Sequence, residues 1–271
     1  MKDSVRAAFI PLTVSFEGGY IDWMFPDVKK LISTGFGLLL DPVTLATALP
    51  WKHPDGRRAT RQEIVAEWTA LHQYVIENPG SEFRSYKTFA SMTTLRLGRE
   101  GLYEAFQGKI NSNIGVLRAG FTEWDAWPAD AQLATMSMAW ACGPAFYKPS
   151  AGRNYWPKLT AALRSLDFRT AAIECFMNEE KKNPGIIPRN KANRVLYNNA
   201  AVALNTLDPE TLFYPQDLDA SFVPVDTPTT PVLVPEARPD PLGHVDIVHP
   251  IVPLGRPALD GDLPTTEPDD D

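Results

Sequence analysis

The sequence predicts an α+β body, mainly α-helical, over residues 1–210, followed by an extended tail over 211–271. Three observations predict it. Apolar residues recur at helical spacing in several segments between residues 60 and 204. Strand-type residues interrupted by glycine are confined to 25–40. Twelve of the 25 prolines fall in the last stretch, where they alternate with β-branched residues, as in Val223-Pro224-Val225 and Pro231-Val232-Leu233-Val234-Pro235. Proline fixes φ and removes a backbone donor, so that stretch reads as polyproline-like and solvated.

Each element of the body has its own signal. Pro11 suits the first turn of a helix that runs to Glu17 and ends at Gly18-Gly19. Residues 25–40, with Gly35 and Gly37, read as a short hairpin. Thr60-Arg61-Gln62-Glu63 is a capping box, and Ile64, Trp68, Leu71 and Val75 follow at helical spacing, which predicts a helix over 60–77. Another runs from Pro128 to Ala141 with a nearly continuous apolar middle, and a helix apolar on most sides belongs in a core. Pro157 opens a helix over 157–165, and Asp167 to Met177 and Lys191 to Leu204 complete the set.

Charge divides the chain in the same place. Residues 211–271 hold 12 of the 33 acids against two bases, Arg238 and Arg256, a net −10; the body holds 24 bases against 21 acids, a net +3. The tail reads either as a spacer or as an arm that docks on the body or on a partner protein. No apolar run reaches the roughly 18 residues of a membrane-spanning helix. Cys142 and Cys175 read as two buried thiols rather than a bridge. Lys2 and Arg6 before Ala7–Phe16 give the start a leader-like look, but Pro11, Glu17 and the lack of an A-x-A site read as mature protein. The expectation is a chain made in the cytoplasm and delivered elsewhere.

Nucleotide, serine-hydrolase, thiol-redox and zinc motifs are missing from the sequence, and His53, His72, His244 and His249 are scattered. The bases are dispersed, densest at Arg57, Arg58 and Arg61, without the aromatic interleaving of a nucleic-acid site. Asp260, Asp262 and Asp269–Asp271 lack the register of a calcium loop and read as solvation of the tail. The expectation is no cofactor, no metal, no nucleic acid and no stable membrane insertion.

Chemistry concentrates in Phe16-Glu17-Gly18-Gly19-Tyr20, Phe25-Pro26-Asp27 and Ser33-Thr34-Gly35-Phe36-Gly37. Glycoside hydrolysis needs two carboxyls across one bond, one to donate a proton and one to act on water or the sugar. A donor needs a partly apolar setting, and Glu17 at a helix end with Phe16 and Phe36 to hand fits it. Asp27 beside Lys29 and Lys30 fits the ionised partner. Ser33 or Thr34 offers a hydroxyl to hold the water, and Gly35 and Gly37 let backbone approach a sugar. Taken singly, these residues read as a surface acid with a glycine cap, a turn aspartate and hairpin punctuation.

Order and spacing together resemble the phage-type lysozymes (endolysins, glycoside hydrolase family 24) of the lysozyme-like superfamily. That family runs helix–Glu-Gly, then Y-x-D-x-x-G-x-x-T-x-G-x-G on a small hairpin. Here Phe25-Pro26-Asp27 is similar to Y-x-D, Ser33 takes the threonine position, and Gly35 and Gly37 take the two glycines. Glu17-Gly18-Gly19-Tyr20 also resembles the muramidases of glycoside hydrolase family 108. Gln132 to Gly143 runs along the family's Q-x-A-L-x-S-x-x-x-N-x-G, and Gly185 to Tyr197 is similar to its closing G-L-x-x-R-R-x-x-E-x-x-L-F. The resemblance spans about residues 10–205. Lys30 departs from a family glycine, Ser33 (or Thr34 with a shifted register) from threonine, and Asn190 and Asn193 from Arg and Glu; Glu17 and Asp27 are one residue further apart than is typical.

The resemblance implies a lysozyme-like fold, with a small β-hairpin subdomain and a helical lobe. It implies cleavage of the β-1,4 bond between N-acetylmuramic acid and N-acetylglucosamine, with inversion favoured over retention; the sequence leaves that outcome open. Glu17 is then the general acid, Asp27 positions or deprotonates water, and Ser33 or Thr34 assists. Tyr20, Gly35, Gly37 and Arg189 are expected on the substrate, the glycan strands of peptidoglycan. Action would be at the bacterial cell wall or periplasm, after delivery by a phage, a virion or a secretion system. The alternative is a lysozyme-like protein without turnover, docked to a virion or secretion complex through its tail.

Overall fold

The computed structural model describes residues 1–17, 19–149, 155–177, 186–204 and 209–213. The tail expected over 211–271 lies outside the described residues from 214 onward, as do Gly18 and Gly185. The described elements run α1 (Asp3–Glu17), β1 (Phe25–Pro26), β2 (Ile32–Thr34), β3 (Leu38–Leu39), α2 (Val43–Thr47), α3 (Arg61–Glu77), α4 (Arg99–Gly120), α5 (Ala129–Cys142), α6 (Pro157–Arg164), α7 (Phe168–Glu174) and α8 (Ile187–Ala203).

α5 is the axis of the helical part. Every residue from Ala129 to Ala139 is buried, and α1, α4 and α8 pack around it. Its polar residues each bind a neighbouring element, because an unpaired buried polar group costs about 1–3 kcal/mol. Gln132 accepts from Lys2 N at 2.8 Å and donates to Trp124 O at 2.8 Å. Thr135 pairs with the Tyr197 hydroxyl at 2.8 Å. Asp130 accepts from Asn199 Nδ2 at 2.9 Å and from Phe213 N at 2.8 Å. Residues 209–213 form a strap across two helices. Ala129 N donates to Pro209 O at 2.9 Å, and Lys2 Nζ and Ser4 Oγ reach Glu210 at 2.6 and 2.8 Å. Residues 211–213, expected in the tail, thus lie against the body, with Leu212 buried.

α1 begins eight residues before Pro11, so this proline sits in mid-helix rather than in the first turn. A mid-helix proline costs about 3 kcal/mol. Val5, Phe9, Ile10 and Leu12 are all buried on this helix, and each buried side chain of that size contributes about 1.5–3 kcal/mol. Packing outweighs the local preference. α3 follows the predicted bounds, with Thr60 accepting from Glu63 N and Glu63 accepting from Thr60 N. α7 stops at Glu174, and α8 starts at Ile187, ahead of the expected Lys191. The longest described helix, α4, was not expected. It carries four glycines, yet Leu102, Phe106, Ile110, Ile114 and Leu117 are buried at helical spacing.

The expected hairpin is a three-stranded antiparallel sheet in the order β1-β2-β3, with Phe25 opposite Ser33 and Ser33 opposite Leu39. It rests on α3, where Trp68 Nε1 donates to Leu40 O at 3.0 Å. The β1–β2 turn is built by Asp27, whose Oδ1 accepts from Lys29 N at 2.7 Å and Leu31 N at 2.9 Å. Lys30, standing at the position where the resembling family has glycine, takes φ 65°, a left-handed conformation that costs a side-chain-bearing residue about 1–2 kcal/mol. In the β2–β3 turn, Gly35 takes φ +58°, and a Cβ there would meet Leu102 Cδ1 at 2.8 Å and Phe106 Cε2 at 3.0 Å. Gly35 thus serves close packing of the turn on α4. No helix among the described residues is long and apolar enough to cross a membrane.

The two turns respond oppositely to substitution. Lys30→Gly raises stability by about 0.5–1 kcal/mol, since relief of φ strain exceeds the added chain entropy. Gly35→Ala lowers it by about 1–3 kcal/mol. Urea unfolding of both variants reads the pair of signs.

Candidate active site

Glu17 is the last residue of α1, which packs on α5 and so fixes where the carboxylate stands. Its Oε1 accepts a hydrogen bond from Arg189 Nη2. Arg189 lies in the first turn of α8, and its other arm, Nη1, reaches Ser137 O at 3.3 Å and Ser137 Oγ at 3.4 Å on α5. One guanidinium therefore joins α1, α5 and α8. Its Cζ also stands 4.8 Å from the centre of the Phe16 ring. The pair is asymmetric: the Arg189 side chain is 3% exposed and that of Glu17 31%. Burial pulls the Arg189 guanidinium below its ordinary value, while Glu17 and then Cys142 pull it back. Arg189, expected on a substrate, is covered, and it meets the surface only through Glu17.

The second oxygen of Glu17 faces the sheet. Gly37 takes φ +83°, and a Cβ there would stand 3.6 Å from Glu17 Oε2 and 3.9 Å from Trp140 Nε1. Trp140 Nε1 in turn donates to Phe36 O at 3.1 Å, tying α5 to this turn. So Glu17, Gly37 and Trp140 share one corner, where the end of α1, the β2–β3 turn and the end of α5 meet.

The remaining expected residues fall into distinct settings. Strand alternation separates Ser33 from Thr34. Thr34 is wholly buried and its hydroxyl donates to Trp23 O at 3.0 Å and Ile21 O at 3.3 Å, so it is committed to the backbone. Ser33 points to the opposite side of β2; it too is buried, 4% exposed, and its hydroxyl bonds to none of the described residues. Asp27 is half-buried; the turn uses its Oδ1 and leaves Oδ2. Tyr20 donates from its hydroxyl to Leu97 O at 2.6 Å, with Arg99 Cζ 5.5 Å from the centre of its ring. Burial, helped by Asp22 and opposed by Arg99, pushes its phenol up to about 12. The Tyr20 hydroxyl is thus committed to the backbone, and its ring faces Arg99 and Phe36.

Sequence reasoning missed the Glu17–Arg189 contact, 172 residues apart, and the parts played by Ser137 and Trp140. Of the two departures on α8, Asn190 clamps Met177, accepting from its N at 2.9 Å and donating to its O at 2.6 Å. Asn193 is fully buried, and neither of its amide atoms has a partner among the described residues. Cys142, half-buried at the end of α5, and buried Cys175 are both free thiols. Burial pushes them up to about 11 and about 12. Among the described residues no cluster of His, Cys, Asp and Glu is placed to hold a metal ion. No known family, no curated protein and no solved structure matches this chain.

Glu17→Gln lowers stability by about 1–3 kcal/mol in urea unfolding, because a covered guanidinium loses its counter-charge while the amide oxygen still accepts a bond. Adding Arg189→Met to that variant recovers at least half of the loss. A second expectation concerns alkaline pH. Unfolded, the two thiols and the Tyr20 phenol ionise near 9 and 10; folded, they keep their protons to about 11 and 12. The native state then binds more protons, so stability falls as pH rises from about 9 toward 11. A double Cys142→Ala, Cys175→Ala variant shows a shallower fall over that window.

Proposed function

We propose that this chain is a peptidoglycan hydrolase of lysozyme-like fold, a muramidase acting on the β-1,4 bond between N-acetylmuramic acid and N-acetylglucosamine. The observation that carries this reading is the setting of Glu17. It is a partly exposed carboxyl at a helix end, held through one oxygen by a covered arginine, with its other oxygen turned to a glycine turn of a small sheet. The Lys30 backbone supports the same alignment, since that position takes the left-handed conformation that glycine favours.

Each group then has a task. Arg189 fixes Oε1, so the proton that Glu17 takes up for each turnover sits on Oε2 and passes to the glycosidic oxygen as its bond to C1 breaks. The same sheet carries Ser33 and, at the next turn, Asp27. Asp27 Oδ2 takes a proton from the attacking water, and the Ser33 hydroxyl orients that water. Water adds to C1, the leaving sugar keeps the proton from Glu17, and exchange with solvent resets both acids. Gly37 lets backbone stand close to the sugar beside Glu17, without a side chain between them. Neither cofactor nor metal enters this scheme. The enzyme would act at the cell wall after delivery by a phage, a virion or a secretion machine, with the tail over 211–271 as the delivery or control element.

A second reading keeps the body as a binding protein without turnover. It draws on Asp27, whose Oδ1 is spent on the turn as in an ordinary structural aspartate.

Release of soluble muropeptides from purified peptidoglycan separates the two. The intact chain is expected to yield fragments with reducing N-acetylmuramic acid ends, and Glu17→Gln to lower the rate by about 10²–10⁴. Asp27→Asn is expected to lower it comparably. Release from no form, with all forms folded by circular dichroism, favours the binding protein.

A further inference from the structure

Lys52 is the middle of a three-stranded ribbon apart from the main sheet. It pairs antiparallel with Arg58 on one side and with Arg96 on the other. The pairing is well made: Lys52 N donates to Arg96 O at 2.9 Å and Arg96 N to Lys52 O at 2.8 Å, while Ala59 N and His53 N bond to Trp51 O and Arg57 O at 2.8 Å. Residues directly opposite in antiparallel pairs share a face, with Cβ atoms about 4.5–5.5 Å apart, and like charges placed so destabilise the pairing. Three cations therefore stand in a row on one face.

The protein does little to neutralise them. Lys52 and Arg58 are exposed and form no ion pair with any described residue. Arg96 is the member already engaged: it donates to Ala90 O and Leu95 O at 2.8 Å and Thr93 O at 3.0 Å, its Cζ stands 5.7 Å from the centre of the Trp23 ring, and it pairs with Asp22 at 3.9 Å. The neighbouring Arg57 is by contrast fully paired, 2.9 Å from Glu63, which also faces His53 at 3.2 Å. A repulsive row in which Lys52 and Arg58 have no acid among the described residues, while neighbouring Arg57 is neutralised, fits a docked anion.

We infer that this row, Arg58–Lys52–Arg96, docks the acidic segment 214–271 of the same chain. That segment carries 12 acids against two bases, and it contains the run Glu267-Pro268-Asp269-Asp270-Asp271. From Phe213, bound at Asp130, 56 residues lead to Asp269; a coil of that length spans about 40 Å, and a polyproline form more. Tethering gives the segment an effective concentration of about millimolar at the row, ahead of a free anion at lower concentration. The contact lies between solvated charges, so salt loosens it. It does not rest on the hydrolase reading.

The test is zero-length carbodiimide coupling of the full chain at low salt, followed by digestion and mass spectrometry. Coupling joins the Lys52 amine to a carboxylate it touches. The expected product is a monomer with Lys52 linked to Glu267 or Asp269–Asp271. Its yield should fall several-fold in 0.5 M salt and in Arg58→Glu. Segment acids linked to other lysines with Lys52 unmodified, links found only between two chains, or a yield indifferent to both salt and Arg58→Glu would each overturn the inference.

Discussion

A helix buried on every side has to be satisfied by its neighbours, and α5 imposes that constraint on the rest of the chain. From Ala129 to Ala139 it meets no water. Its apolar residues demand cover, which α1, α4 and α8 supply. Its polar residues demand partners, and those come from far away in sequence: Lys2, Tyr197, Asn199 and Phe213. The fold is thus specified twice at the same helix, once by shape and once by hydrogen bonding. Asn193 on α8 is an exception, a buried amide with no partner among the described residues.

Arg189 carries that constraint to the site. A guanidinium on the inner face of α8 needs a counter-charge and acceptors, and Ser137 and Glu17 supply them. The carboxylate is thereby held at the surface by a charge below it. On the proposed reading, structure and chemistry use the same two groups, so a change made to probe one disturbs the other. Glu17 keeps enough exposure to meet a solute, and Arg189 keeps none.

Much of this was legible in the sequence where the signal was local. The capping box at Thr60 marked the start of α3. The apolar run from Leu133 to Trp140 marked a core helix. The helical start at Asp3 was not legible, because Pro11 obeys a local rule that burial of Val5, Phe9 and Ile10 overrides. Glycines masked α4, although its apolar residues keep a helical period. At the site, Glu17 and Asp27 stood out by spacing. The choice between Ser33 and Thr34 needed the strand face, which a one-residue shift inverts. The partnership of Glu17 with Arg189 needed the packing of three helices, which no spacing encodes.

The strap at 209–213 has a mechanical consequence. It is fastened to α1 at Lys2 and Ser4 and to α5 at Ala129 and Asp130, just before the acidic segment begins. A pull on that segment is therefore not spent on peeling α8 from its open end. The load passes in shear into the first helix and the central one together. A protein gripped by residues beyond 213 would be held through its first helix and its central one, and tension there would reach the helix that ends at Glu17.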